Sequence, residues 1–216
     1  MVKDIITDIE KLSIRADEFN VMKEGIEARK AVVDLKDTIK ENNLPCLSAP
    51  QIGSRYRIIV INFNGELKTF CNPIIMQFDK ITLHKETCVS IPDKTFIIPR
   101  FGKIDIAYLT PMGEPKTEQL LGMAAYVFQH ALEHLDGILV SDLGLEIDEE
   151  FEAAPEEERF EVIQAYLDSL DIKLDTLKTE IQNDDKLSEM DEAIRFMTDV
   201  QTGKVTLIDD IEVSNK

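Results

Sequence analysis

QHALEHLDG, residues 129–137, holds two of the three histidines in the chain, four residues apart. On a helix turning about 100° per residue, His130 and His134 point about 40° apart, so both imidazoles reach one ion. Ala131 stands where the helical zinc signature H-E-x-x-H places its working glutamate. Upstream, Leu120, Leu121, Ala124, Ala125, Val127 and Phe128 predict an apolar helix from Glu118 to about Leu135, with the histidines in its last turns. Histidines buried in such a helix need partners. A third ligand is offered by Cys88 in KETCVSIPDK, the only cysteine flanked by a tight polar turn. The three cysteines, Cys46, Cys71 and Cys88, form no C-x-x-C pair, which argues against a disulfide framework and for a reducing compartment.

Around this helix the chain reads as α+β. Residues 20 to about 42 place Met22, Ile26, Val33 and Ile39 near helical spacing among charges, predicting an amphipathic helix. YRIIVIN (56–62) is β-branched and ends at Asn64-Gly65, a hairpin-type turn, after which LKTFCNPIIM reads as its partner strand. TFIIPR (95–100) and KIDIAYL (103–109) read as further strands, with Pro111 to Glu114 as a turn. The expectation is small antiparallel sheets packed around one buried helix.

Charge divides the chain. Residues 1–140 carry 19 acids and 17 bases, residues 141–216 carry 23 acids and 7 bases, and the whole has a formal net charge of -18. Nucleic acid is disfavoured as a partner, because phosphate neutralisation needs clustered Lys and Arg. No apolar run is long enough to span a membrane and the N-terminus MVKDIITDIE lacks the pattern of a signal peptide, so a soluble cytoplasmic protein is expected. In the acidic part, Phe160, Ile163, Leu167, Leu170, Leu174, Leu177 and Ile181 step alternately by three and four, a heptad seam. Leu187, Met190, Ile194 and Met197 repeat the spacing, and KVTLIDDIEV alternates like a short strand. The seam packs on the chain's own core, closes as an antiparallel hairpin, or pairs with another copy or a protein partner.

CLSAPQIG (46–53), ETCVSIP (86–92) and QHALEHLDG (129–137) stand in the order and at the separations of three motifs, G-x-G-L-A-A-x-Q, E-G-C-L-S and Q-H-E-x-D-H. In this the chain resembles the peptide deformylases over roughly residues 1–142. The resemblance implies a peptide-deformylase-like domain at 1–142 followed by an acidic helical extension at 143–216. It implies that Cys88, His130 and His134 hold one divalent metal, Fe(II) or Zn(II) or Ni(II). It also implies that the Gln51 amide and the backbone N–H of Val89 form an oxyanion hole for a formyl carbonyl. Glu86 falls on the glutamate of the second motif, in a structural rather than catalytic place.

Departures from the motifs cluster around the same site. Ala131 takes the slot of the glutamate that carries the proton from the attacking water to the leaving amine. Leu44 and Cys46 replace glycines, Ser48 replaces an alanine and Thr87 replaces the glycine before the metal cysteine, so a substrate cleft bounded by Leu44, Cys46, Leu47 and Ser48 is expected to be narrow. H-A-L-E-H also fits the H-x-x-E-H signature of inverted zinc peptidases, but Glu133 flanks the histidine stripe on the side opposite Ala131 and sits where deformylases carry an aspartate. The expectation is a metal-binding protein with lost or strongly reduced deformylase activity and a structural or partner-binding role, suited to a phage-like assembly. The alternative is an active deformylase releasing the formyl group from formylmethionine of nascent chains.

Overall fold

A computed structural model describes residues 1–20 and 23–181, with side chains placed up to residue 170. The elements run α1 (Ile9–Leu12), α2 (Gly25–Asn42), β1 (Cys46–Ser48), a 3-10 turn (Ala49–Ile52), β2 (Ile58–Phe63), β3 (Glu66–Cys88), β4 (Ile91–Leu109), β5 (Pro115–Leu121), α3 (Met123–Asp136), α4 (Val140–Leu143), β6 (Leu145–Ile147), α5 (Glu149–Ala153) and α6 (Glu156–Ile181). Met22, the run Leu187 to Met197 and the stretch KVTLIDDIEV lie outside the described residues.

The strands form one antiparallel sheet instead of several small ones. Its order is β1-β2-β3-β4-β5, with β6 pairing the start of β4. TFIIPR and KIDIAYL, expected as separate strands, are two parts of β4, because Phe101 pairs with Ile81 and Lys103 with Asp79, so the pairing with β3 carries on between them. The turn at Asn64-Gly65 has positive φ at both residues (52° and 99°), the geometry that suits a tight hairpin between right-twisted strands. Register shifts between Cys71 and Ile74, Ile75 and Gln77, and Thr87 and Cys88 bend the long β3–β4 ribbon. Helix α3 packs against all five strands of the sheet path, β1 to β5.

Two helix expectations are corrected. Residues 118–121 belong to β5, paired with β4 from Lys103 to Ile106, and α3 begins only after Gly122 at φ 54°. The apolar run from Leu120 onward suits either period, and the left-handed glycine separates them. In α2 the buried apolar face is Ala28, Ala31, Val32, Leu35 and Ile39, while Ile26 and Val33 are 82% and 53% exposed. Asp34 and Thr38 share the inward side because the N-terminal segment brings them partners: the Met1 amine lies 2.7 Å from Asp34, and the Lys3 N–H donates to the Thr38 hydroxyl at 3.0 Å. Small alanines and paired polar groups hide such a face from a hydrophobicity pattern.

The folded unit continues past residue 142. β6 joins the sheet, and α6 turns Tyr166 and Leu170 inward, with the Tyr166 hydroxyl donating to the Leu143 carbonyl at 2.6 Å. Phe160, the first residue of the expected seam, is instead 64% exposed. No helix among the described residues is long and apolar enough to cross a membrane.

Candidate metal centre

β3 ends at Cys88, and because side chains alternate along a strand, Glu86 and Cys88 share the buried face while Thr87 points outward. The two-residue turn Val89-Ser90 returns the chain into β4. Helix α3 sets His130 and His134 one turn apart on the stripe opposite, their rings 5.1 Å between centroids. Ligand atoms of Cys88, His130 and His134 thus lie within 4.8 Å of one another.

Each ring has one nitrogen assigned by its surroundings. The Nδ1–H of His130 donates to Glu86 Oε2 at 2.9 Å, which leaves Nε2 for the centre. His134 turns Nε2 to the Cys88 sulfur at 3.3 Å, and its Nδ1 is buried without a partner among the described residues. Burial pushes the Cys88 thiol up, but the two histidines beside it outweigh that and hold it down to about 5. Burial works to lower His130, and the Cys88 sulfur and Glu86 carboxylate outweigh it, raising the imidazole to about 9.

The arrangement fits a divalent transition metal. Two ligands at about 2.3 Å (sulfur) and 2.0 Å (nitrogen) from a tetrahedral ion stand about 3.5 Å apart, close to the observed 3.3 Å. A thiolate with two imidazoles suits Fe(II), Zn(II) or Ni(II), and a sulfur already inclined to ionise is what such an ion needs.

A buried ion-pair network backs the centre. Arg100, 3% exposed, donates from Nε to Glu86 Oε1 at 2.7 Å and from Nη2 to Glu86 Oε2 at 2.9 Å. The same guanidinium also pairs with Glu133, through Nη1 to Oε1 and through Nη2 to Oε2 at 2.8 Å. Glu133 is therefore committed to Arg100 and does not serve the centre as a base. Sequence reading did not single out Arg100, although a lone basic residue after the apolar strand TFIIP was the available signal. Ser90 was missed as well, although it falls on the last residue of the second motif, E-G-C-L-S.

Gln51 is buried, with Oε1 accepting the Ser48 N–H at 2.9 Å and Nε2 donating to the Ser90 hydroxyl at 3.1 Å. A backbone N–H only donates, so the amide orientation is fixed. Val89 lies in the turn after Cys88 with its side chain 40% exposed. Ala131 is fully buried, and its carbonyl accepts from the Ser48 hydroxyl at 2.6 Å. Of the residues expected to line a cleft, Leu47 and Ser48 are fully buried and Leu44 is 9% exposed. Leu44 and Leu47 pack beneath α2, and only Cys46 keeps partial exposure. Burial pushes the Cys46 thiol up to about 12, so it is neutral.

Comparison with known proteins agrees with this geometry. Residues 2–147 match the family model described as Polypeptide deformylase. A peptide deformylase from Dictyoglomus turgidum is 33% identical over 135 residues, 62% of this chain and 87% of the relative. One from Pelagibacter ubique is 33% identical over 147 residues, covering 65% and 85%. The crystal structure of peptide deformylase from Thermotoga maritima superposes with a TM-score of 0.62 at 29% identity, over 66% of this chain and 97% of that one. With Gln51, Glu86, Cys88, His130 and His134 all inside the matched residues, the chain belongs to the polypeptide deformylase family.

Proposed function

We propose that the chain is a metal-dependent deformylase that hydrolyses the formamide bond of N-terminal formylmethionine peptides, at a rate lowered by the absence of a carboxylate at position 131. The observation that carries this reading is the triad of Cys88, His130 and His134, with donor atoms within 4.8 Å. These three residues hold the ion, which when bound supplies Lewis-acid chemistry, acidifying water and polarising a carbonyl.

The remaining work falls to the chain's own groups. Gln51 Nε2 carries two N–H bonds, and with one directed to Ser90 the other is free for the formyl oxygen. The Val89 backbone N–H, next to Cys88, is the second donor of this oxyanion hole. Arg100 keeps Glu86 ionised, and Glu86 keeps the His130 ring turned for ligation. Proton transfer to the leaving amine has no side-chain carrier, since Ala131 presents a methyl group and both nearby carboxylates, Glu86 and Glu133, are paired with Arg100. Solvent must carry that proton, and a positioned acid or base normally contributes roughly 10²- to 10⁴-fold.

Ala131 also supports a second reading, in which the protein keeps its metal and binds formyl peptides or a protein partner without turnover. Formyl release from a formyl-Met peptide, measured for the metal-loaded wild type beside Cys88→Ala and Ala131→Glu, separates the two. Slow release that Cys88→Ala abolishes supports the first reading. Release by Ala131→Glu alone supports the second, and no release by any form sinks the first.

A further inference from the structure

A belt of hydrogen bonds runs beside the metal centre and joins the elements that build it. Helix α3 supplies the Ala131 carbonyl, one residue after His130, and the Ser48 hydroxyl donates to it at 2.6 Å. The Ser48 N–H donates to Gln51 Oε1 at 2.9 Å, and Gln51 Nε2 donates to the Ser90 hydroxyl at 3.1 Å. Ser90 follows Cys88 and Val89 in the turn between β3 and β4. Helix, 3-10 turn and hairpin are thus linked through side chains closed to solvent, with Ser48 0%, Ser90 1% and Gln51 2% exposed.

Ser48 is the joint of this belt. It ends β1 opposite Ile59, so the sheet fixes its backbone. Its N–H holds the Gln51 amide, while its hydroxyl grips the helix that carries both histidines. A helix carbonyl keeps a second lone pair after its ladder bond, so the hydroxyl takes nothing from α3. Among the described residues this is the one side-chain hydrogen bond between α3 and the segment 46–52. The Ile6 N–H also holds the Gln51 carbonyl, at 2.9 Å, but it ties the turn to the N-terminal segment and not to the metal helix. The first motif has alanine at the position of Ser48, with no donor to offer, so the clamp belongs to the serine of this chain.

We propose that the Ser48 hydroxyl is a positioning group, setting the Gln51 amide of the oxyanion hole against the metal helix. This rests on the deformylase reading above and names what holds its oxyanion hole in place. With no carboxylate at position 131, the acceleration that remains falls on the ion and on the donors aimed at the formyl oxygen. Such donors act through geometry, and a small misplacement of a positioned group is felt in rate. The two bonds of Ser48 carry the position of α3 to the amide through a single residue.

The test uses the Zn(II)-loaded full chain and its Ser48→Ala variant, which removes the hydroxyl and adds no bulk. Formyl release reads kcat and KM, chelator competition reads Zn(II) affinity, and NMR reads the side-chain amide resonances of Gln51. Expected is a kcat lowered roughly three- to tenfold, the equivalent of one net hydrogen bond. KM and Zn(II) affinity should change by less than about twofold, and the Gln51 resonances should shift and exchange faster with water. Ser48→Thr, which keeps the hydroxyl, should restore both readings. In a Gln51→Ala background, loss of the hydroxyl should leave kcat where it stands. Unchanged resonances or unchanged kcat in Ser48→Ala, or the same fall in kcat without Gln51, overturns the proposal. A fall in Zn(II) affinity equal to the fall in kcat does so too, because it places the effect in ligation. If the wild type releases no formyl, the deformylase reading fails and the resonances alone decide the positioning. If Ser48→Thr does not fold, the alanine variant and the Gln51→Ala background decide.

Discussion

His130 donates its Nδ1 proton to Glu86 at 2.9 Å, and the same carboxylate accepts two hydrogen bonds from Arg100. The pair fixes the tautomer of a metal-ligating ring from behind, so its effect belongs to ligation more than to packing. Glu86→Gln is expected to weaken Zn(II) affinity roughly 10- to 100-fold, the range usual for losing such a support. Competition against a calibrated chelator reads this directly, and unchanged affinity would mean that the ring is oriented by the helix alone.

The same carboxylate gives the metal-free protein an acid-labile component of stability. Burial pushes Glu86 up, but hydrogen bonds from Arg100 and His130 outweigh it and hold the group at about 2, against a usual 4.5. Because the folded value lies below the unfolded one, the stabilisation is complete above about pH 4.5 and is lost as pH falls towards about 2. With the side chain 8% exposed, the contribution is roughly 3 kcal/mol. Urea unfolding of the metal-free protein should lose about that much over this window, and Glu86→Gln should flatten the loss.

Ala131→Glu should raise formyl release by less than the full 10²- to 10⁴-fold of a positioned base. Ala131 is fully buried beside Phe128 and Leu135, and its carbonyl is tied to the Ser48 hydroxyl. A larger side chain must displace that packing, at roughly 1–3 kcal/mol. Thermal unfolding and kcat of the metal-loaded variant, measured together, are expected to show a lower midpoint and a faster rate.

Much of the site was legible because its ligands lie in short segments with strong local geometry. His130 and His134 need only helical spacing, and Cys88 only a tight turn after a strand. Glu133 was read as facing away from the Ala131 side, and its pairing with Arg100 accounts for it. What was not legible depended on pairing across the sequence. Arg100 meets Glu86 and Glu133 only once β3, β4 and α3 are assembled. Likewise Leu120 and Leu121 fit either period, and Gly122 with the β4 register decided between strand and helix. The inward face of α2 was misread because its polar members are matched to the N-terminal segment rather than to solvent.

The acidic extension offers the last test. Its seam was expected to run through Phe160 and Leu170 on one face, yet Leu170 is 4% exposed and Phe160 64%. The two residues point about 80° apart around α6, and the core covers the helix at Leu170 but not at Phe160. Tyr166 sits with Leu170 on the inner side and anchors the helix to the Leu143 carbonyl, just ahead of β6. Leu170→Asp places a charge at a buried position and is expected to cost roughly 3 kcal/mol, seen as a lowered thermal midpoint with metal content retained. Tyr166→Phe removes one hydrogen bond and should cost about 1 kcal/mol. Phe160→Asp on the outer side should change stability by less than about 0.5 kcal/mol. If another chain covers that outer side, Phe160→Asp is the variant that abolishes the association in light scattering. Loss of association in Leu170→Asp without loss of stability would instead show that the inner side is the one shared between chains.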